Sequence, residues 1–224
     1  MDAYGPRGWW PLGEFRRHDP DHGGYHPGKY DSPSSASGRF EVGIGAILTQ
    51  NTTWKQVAGC IDSLDAAGLL DPPAMIQAVA GKIEAAIRPS GYFRQKTRKL
   101  KEFAGFFLAT DPVPPARKEL LSVWGIGEET GDSILLYAYG RPVFVVDDYT
   151  RRLVARMTGG EAPGYAGLQE NLSAAFRDLE ARERARVFNE FHALVVHLGK
   201  AHCRRRPDCP GCPLEGVCRY AKRP

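Results

Sequence analysis

Three observations predict an all-α fold. Apolar residues recur at helical spacing along most of the chain after Phe40. Gly, Pro, Ser and Asp fall where such helices need to start or stop. The only strand-like run is RPVFVV at 141–146, short and set between two helical patterns. About ten helices are expected, with no internal repeat. The 224 residues can bury a real core, as one large domain or two small ones. No apolar run reaches the roughly 18 residues of a membrane helix, so a spanning protein is not expected. The opening MDAYGPRGWWPLGEF lacks the basic and apolar regions of a secretory signal. A net charge of +4 is compatible with a polyanionic partner without requiring one.

Residues 1–38 carry twelve Gly or Pro and read as an irregular arm with one short helix near 12–17. Trp9 and Trp10 predict that this arm packs onto something, because a disordered tail seldom carries them. FEVGIGAILTQ, from Phe40, is apolar on most faces, as a buried helix would be. An amphipathic helix follows at 53–67, stopped by Gly68, Pro72 and Pro73. Two short helices are predicted at 71–79 and 82–87. The helix at 94–109 sets Leu100, Phe103, Phe107 and Leu108 mostly opposite Lys96, Arg98, Lys99 and Lys101. That basic side reads equally as a phosphate contact or a solvated face. Helices at 116–123 and 128–139 flank WGIG, and helices at 147–157, 165–179 and 182–202 complete the set.

Gly125 and Gly127 bracket Ile126 between two amphipathic helices. Such a turn lets another backbone approach closely, and the free amides opening the second helix can hold a phosphate oxygen. A plain αα-hairpin satisfies the same pattern. Twenty residues beyond Gly127, Asp147 follows an apolar run and opens a helix in VVDDYTRRL. It suits an N-cap, and a helix N-terminus also keeps a carboxylate ionised. Beside a bound phosphate backbone, such a carboxylate can stabilise a cationic sugar and direct a water. On chemistry alone Asp148 could do the same. Four of the five cysteines, Cys203, Cys209, Cys212 and Cys218, fall within sixteen residues. They read as a metal or cluster site in a reducing compartment, while Cys60 reads as a small buried apolar residue. His18, His22, His26, His192, His197 and His202 show no competing ligand spacing, and His192 and His197 fit a packed helix.

Together the hairpin, the aspartate and the cysteine loop resemble the helix-hairpin-helix DNA glycosylases, in their endonuclease III-like branch. The match runs from about Phe40 to Cys218. It implies two helical subdomains with the DNA site between them: a six-helix barrel carrying the hairpin at 39–146, and an iron–sulfur cluster domain at 147–224 on which the arm packs. The aspartate of this family stands in a V-D-x-[HY] context, so Val146-Asp147-Asp148-Tyr149 assigns the catalytic role to Asp147. Bifunctional members carry a lysine eighteen residues earlier, whose amine attacks C1′. Here that position is Glu129, and a carboxylate forms no imine. The resemblance also implies that Gln50 fills the space of a flipped nucleotide and Tyr92 wedges into the duplex. The plainer alternatives are a helix end for Gln50 and loop packing for Tyr92.

The cysteine gaps of five, two and five residues suit a [4Fe–4S] cluster better than a zinc ribbon or disulfides. The first gap is one residue shorter than the endonuclease III pattern. Arg204, Arg205 and Arg206 inside the loop, with Lys222 and Arg223 beyond, suggest phosphate contacts. Trp9, Trp10 and Trp54, with RPSGYFRQK, resemble the 3-methyladenine glycosylases of the same branch. An alkylated purine is cationic, and tryptophan faces attract cations. The expectation is a monomeric, cytoplasmic, nucleoid-associated enzyme. It would act on double-stranded DNA containing a damaged base and leave an abasic site with weak or absent lyase activity. The alternatives are an endonuclease III-like enzyme for oxidised pyrimidines or mismatches, and a non-catalytic DNA-binding module.

Overall fold

The computed structural model describes residues 3–19, 21, 23–31 and 33–222. His22 and Arg223 lie outside the described residues. The fold is all-α, with eleven α-helices among the described residues: α1 (Gly13–His18), α2 (Ala36–Leu48), α3 (Trp54–Ala66), α4 (Pro72–Gln77), α5 (Ala80–Ile87), α6 (Phe93–Thr110), α7 (Arg117–Ser122), α8 (Glu128–Tyr139), α9 (Asp148–Thr158), α10 (Tyr165–Ala174) and α11 (Ala181–Ala201).

The central helix is α2. Ser35 caps it by accepting from the Gly38 amide at 3.1 Å. Every residue from Val42 to Leu48 is buried, and the helix packs on α8, α6 and α3. Burying side chains such as Phe40, Ile44 and Leu48 contributes roughly 1.5–3 kcal/mol each. From α6, Phe103 stacks on Phe40 with ring centroids 5.9 Å apart.

The run at 141–146 is extended but pairs with no strand among the described residues. Its apolar side chains instead complete the core. Phe144 meets Phe188 and Phe191 of α11 edge-on, at 5.3 and 5.2 Å. Gln169 of α10 donates to the Phe144 carbonyl at 2.6 Å.

The arm is structured. Leu12 and Trp10 are buried in the core. The Glu190 carboxylate of α11 accepts from the Arg7 and Gly8 amides at 2.7 and 2.9 Å, and Asn189 donates to the Trp9 carbonyl at 2.7 Å. Tyr4 lies edge-on to His197, 4.5 Å away.

Two expectations need correction. Lys96 is not on an outer basic face: it is 2% exposed and its Nζ donates to two carbonyls. Its four-carbon stem lets it sit on the inner side while its head finds backbone acceptors. The helix expected at 165–179 ends at Ala174, and the chain turns before α11.

Candidate active site

The hairpin is α7, the turn Val123–Gly127 and α8. Gly125 has φ +87°, and a Cβ there would sit 2.5 Å from the Lys99 side chain, so glycine is required on both counts. Gly127 is the N-cap of α8, and a Cβ there would meet nothing within 4 Å. The first amides of α8 lack intrahelical acceptors, as at any helix start. Ile126 is buried and anchors the turn. Trp124, 44% exposed, lies under the Arg98 guanidinium at 4.0 Å.

Two protrusions flank the hairpin, and one buried lysine holds both. Lys96 Nζ donates to the Leu48 carbonyl at the end of α2 and to the Ser90 carbonyl before Tyr92, at 2.8 and 2.7 Å. Burial pushes its ammonium down to about 8. Tyr92 projects from this loop, 68% exposed, with a left-handed backbone at φ +45°. Gln50 follows α2 and reaches the hairpin. Its Nε2 donates to the Gly125 carbonyl at 3.1 Å and to Thr130 Oγ1 at 2.9 Å, while its Oε1 accepts from Lys99 Nζ at 2.5 Å. The sequence pattern could not show that two of the five basic residues on α6, Lys96 and Lys99, serve these loops from within.

Asp147 is the N-cap of α9. Its Oδ1 accepts from the Thr150 amide at 2.7 Å and from Thr150 Oγ1 at 2.8 Å. Its Oδ2 lies 3.4 Å from His192 Nε2. Burial alone would raise this carboxyl, but His192 and the two Thr150 hydrogen bonds outweigh it and hold the group below its ordinary value. Asp147 is therefore ionised at neutral pH. Asp148 sits one position into the helix and lacks these partners.

Glu129, in the first turn of α8, feels the same carboxylate. Solvent reaches it, yet burial and then the Asp147 charge push it up to about 7. Beyond Asp147, His192 Nδ1 is 2.5 Å from the Tyr137 hydroxyl. Sequence patterning places His192 on a packed helix but gives no sign of this pairing, which joins residues 55 positions apart.

The three tryptophans converge on this side. Trp9 meets His192 edge-on at 5.5 Å and Tyr137 at 6.1 Å. Trp10 lies 5.1 Å from Tyr137 and edge-on to Trp54 at 5.2 Å. Trp10 is buried, whereas Trp9 and Trp54 are half-buried.

Cys203, Cys209, Cys212 and Cys218 line one pocket together with Leu153, Leu198, Leu214 and Arg156. Arg156 donates to Cys203 Sγ at 3.1 Å. Burial, and then the other three cysteines, raise the Cys209 thiol, so those three lie within electrostatic reach of Cys209. Among the described residues, no group of three His, Cys, Asp or Glu side chains is gathered tightly enough to hold a single metal ion. Arg204, Arg205 and Arg206 are exposed on the loop. Cys60 is buried in the core, apart from these four.

A helical hairpin, an ionised aspartate twenty residues beyond Gly127 and two flanking loops thus belong to one all-α fold. Residues 44–177 match the HhH-GPD superfamily of base excision DNA repair proteins, and the chain belongs to that family. It is a base excision repair DNA glycosylase of that superfamily, with endonuclease III and 3-methyladenine glycosylase relatives. A Methanocaldococcus jannaschii protein, provisionally named a DNA repair glycosylase, is 34% identical over 97% of this chain and 91% of its own. Endonuclease III of Sulfolobus acidocaldarius is 28% identical over 81% of this chain and 82% of its own. Among solved structures, H. pylori 3-methyladenine DNA glycosylase bound to 1,N6-ethenoadenine aligns with TM-score 0.63 and 28% identity, covering 75% of this chain and 90% of that one. A non-covalent endonuclease III–DNA complex aligns with TM-score 0.70 at 24% identity, covering 82% of this chain and 84% of that one, which shows the common fold.

Proposed function

We propose that this chain is a monofunctional glycosylase that hydrolyses the N-glycosidic bond of alkylated purines, such as 3-methyladenine, in double-stranded DNA. The observation that carries this reading is the pairing of an ionised Asp147 with Glu129 where an imine-forming lysine would stand. The aromatic cluster of Trp9, Trp10 and Trp54 supports a flat, cationic base as ligand. The likeness to a 3-methyladenine glycosylase structure points the same way.

In this mechanism the hairpin amides and Arg204–206 grip the phosphates of the cleft between residues 39–146 and 147–224. Tyr92 enters the stack, Gln50 occupies the gap and the damaged nucleotide swings out. Trp9 and Trp54 hold the base. Asp147 stabilises the cationic sugar and directs water to C1′. An alkylated purine is already a good leaving group, so little acid assistance is needed.

The four cysteines fit a [4Fe–4S] cluster. Each iron of a cubane takes one thiolate, so the sulfurs need not converge on one ion, and the walls of their pocket are largely apolar. Held by Cys203, Cys209, Cys212 and Cys218, such a cluster would fix the loop that presents Arg204, Arg205 and Arg206. Protein isolated without oxygen is expected to contain four irons and four sulfides per chain, and Cys212→Ala to lose them. A monomer acting in the cytoplasm on the nucleoid completes the reading.

Lys200 favours a second reading. Burial lowers its ammonium, and the Asp147 charge acts on it in the opposite direction, so an amine does lie within reach of the carboxylate's field. An endonuclease III-like enzyme with weak lyase activity toward oxidised pyrimidines or mismatches could use it. The deciding experiment is chromatography of bases released from dimethyl-sulfate-treated duplex, with strand breaks scored before heat or alkali. Released 3-methyladenine with intact strands supports the first reading. Nicking, with a borohydride-trapped adduct that disappears in Lys200→Ala, replaces it with the second.

A further inference from the structure

We propose that Tyr137 and His192 form a positioning relay for Asp147, in which the phenol donates to His192 Nδ1 and thereby fixes the imidazole proton on Nε2, facing the carboxylate. The inference rests on the reading of Asp147 as the hydrolytic carboxylate, but its geometry stands apart from the choice of substrate.

The proton inventory carries the argument. Tyr137 is 2% exposed, and among the described residues its hydroxyl has one hydrogen-bond partner, His192 Nδ1, at 2.5 Å. A buried hydroxyl needs an acceptor for its proton, and the bare Nδ1 lone pair is one. Were Nδ1 protonated, the phenol would have to accept, leaving its own proton without a partner in the core. On the far side of the ring the unpartnered atom is His192 Nε2, and the acceptor nearest to it is Asp147 Oδ2. Oδ1 is satisfied twice by Thr150, whereas Oδ2 has His192 Nε2 at 3.4 Å, an ion-pair distance at which the buried Nε2 has no aligned hydrogen bond of its own. The tautomer with the proton on Nε2 gives the phenol its acceptor and turns an N–H toward the carboxylate, which a small ring rotation would bring into line.

The imidazole is also mechanically fixed. Trp9 abuts it edge-on at 5.5 Å, and Trp9 is itself held by Asn189, three residues before His192 on α11. The other charged or titratable groups acting on this cluster are Glu129 on α8, Asp148 and Arg151 on α9, Tyr165 on α10, and Glu190 and Lys200 on α11. Neither Arg151 nor Lys200 reaches Asp147 within 4 Å, whereas His192 does. An N–H on Nε2 would favour the ionised form of Oδ2 while Thr150 holds the other oxygen.

Two measurements test this. The first is nitrogen-15 NMR of histidine-labelled wild-type protein at pH 8, with His192 assigned by its disappearance in His192→Gln. A proton on Nε2 and a bare Nδ1 are expected. A proton on Nδ1, in the neutral ring or an imidazolium, overturns the relay, whatever DNA the protein acts on. The second is single-turnover base release from methylated duplex as a function of pH. Tyr137→Phe keeps the core volume, and is expected to slow release about tenfold with unchanged duplex affinity. The acid limb of its profile should move up by about one pH unit, because Asp147 loses support for its charge. His192→Leu should lose more, with His192→Gln restoring part through its amide donor. Slower release with an unmoved acid limb would mean that the pair merely packs, and would overturn the proposal. A wild type that releases no base defeats the proposed substrate and leaves the NMR result standing.

Discussion

At the scale of single residues, Asp147 carries two duties, and substitution can separate them. Asparagine is as good an N-cap as aspartate, so Asp147→Asn should keep the α9 cap and the fold. Base release should fall by at least about a hundredfold, with duplex binding unchanged or tighter. A non-catalytic DNA-binding module would release no base in either form, and its duplex binding would change little or tighten. Glu129 gives a pH prediction with a definite sign. Its folded pKa is raised to about 7, first by burial and then by Asp147, so the native state holds the proton more tightly than the unfolded chain. Stability then falls as the pH rises from the ordinary carboxyl range through about 7. Solvent screens this exposed group, so the effect is of order 1 kcal/mol. Glu129→Gln should melt higher than wild type at pH 8 and converge with it toward pH 4.5.

At the scale of elements, the hairpin turn has a backbone requirement that chemistry cannot replace. Gly125→Ala forces a side chain into φ +87° and against Lys99. A stability loss of about 1–3 kcal/mol and at least tenfold weaker duplex binding are expected, measured by thermal melting and fluorescence anisotropy. The cysteine loop predicts a salt effect. Replacing Arg204, Arg205 and Arg206 with alanine should flatten the plot of log Kd against log salt, by up to about 0.9 for each phosphate no longer neutralised.

Much at this scale was legible in the sequence, for physical reasons. The hairpin, α2 and α8 announce themselves because glycine punctuation and apolar periodicity are local. Asp147 is legible because an N-cap is a local event. Lys96 was misplaced because a helical pattern counts every lysine as outward, whereas two carbonyls from distant loops draw it in. The Tyr137–His192–Asp147 alignment was invisible because its members lie on α8, α11 and the start of α9, and only tertiary packing sets their distances. The role of 141–146 was legible only in part. Its apolar content showed, but not that phenylalanines of α11 rather than a neighbouring strand would cover it.

At the scale of the whole molecule, α11 is the spine that binds the ends of the chain to its middle. In three consecutive turns it holds the arm through Glu190 and Asn189, meets the site through His192, and leads into the cysteine loop. Removing the Glu190 carboxylate orphans two backbone amides. Glu190→Ala should therefore cost about 2–4 kcal/mol and expose the arm to proteolysis before the rest of the fold. Because Trp9 lies against His192, the same variant should also lower base release, linking an anchoring contact to the chemistry.

The bracket around Gln50 has a kinetic meaning. Without DNA, both its amide donors and its carbonyl are occupied, by Gly125, Thr130 and Lys99. Entering a gap in the duplex means surrendering those bonds at once, a barrier of roughly 1–3 kcal/mol. A protein travelling along sound DNA would keep the amide docked and pass over well-stacked pairs. A lesion that has already loosened its neighbours offers replacement partners and tips the exchange. The latch would thus act as a threshold on interrogation, sorting sites by how readily they open before any base reaches the tryptophans.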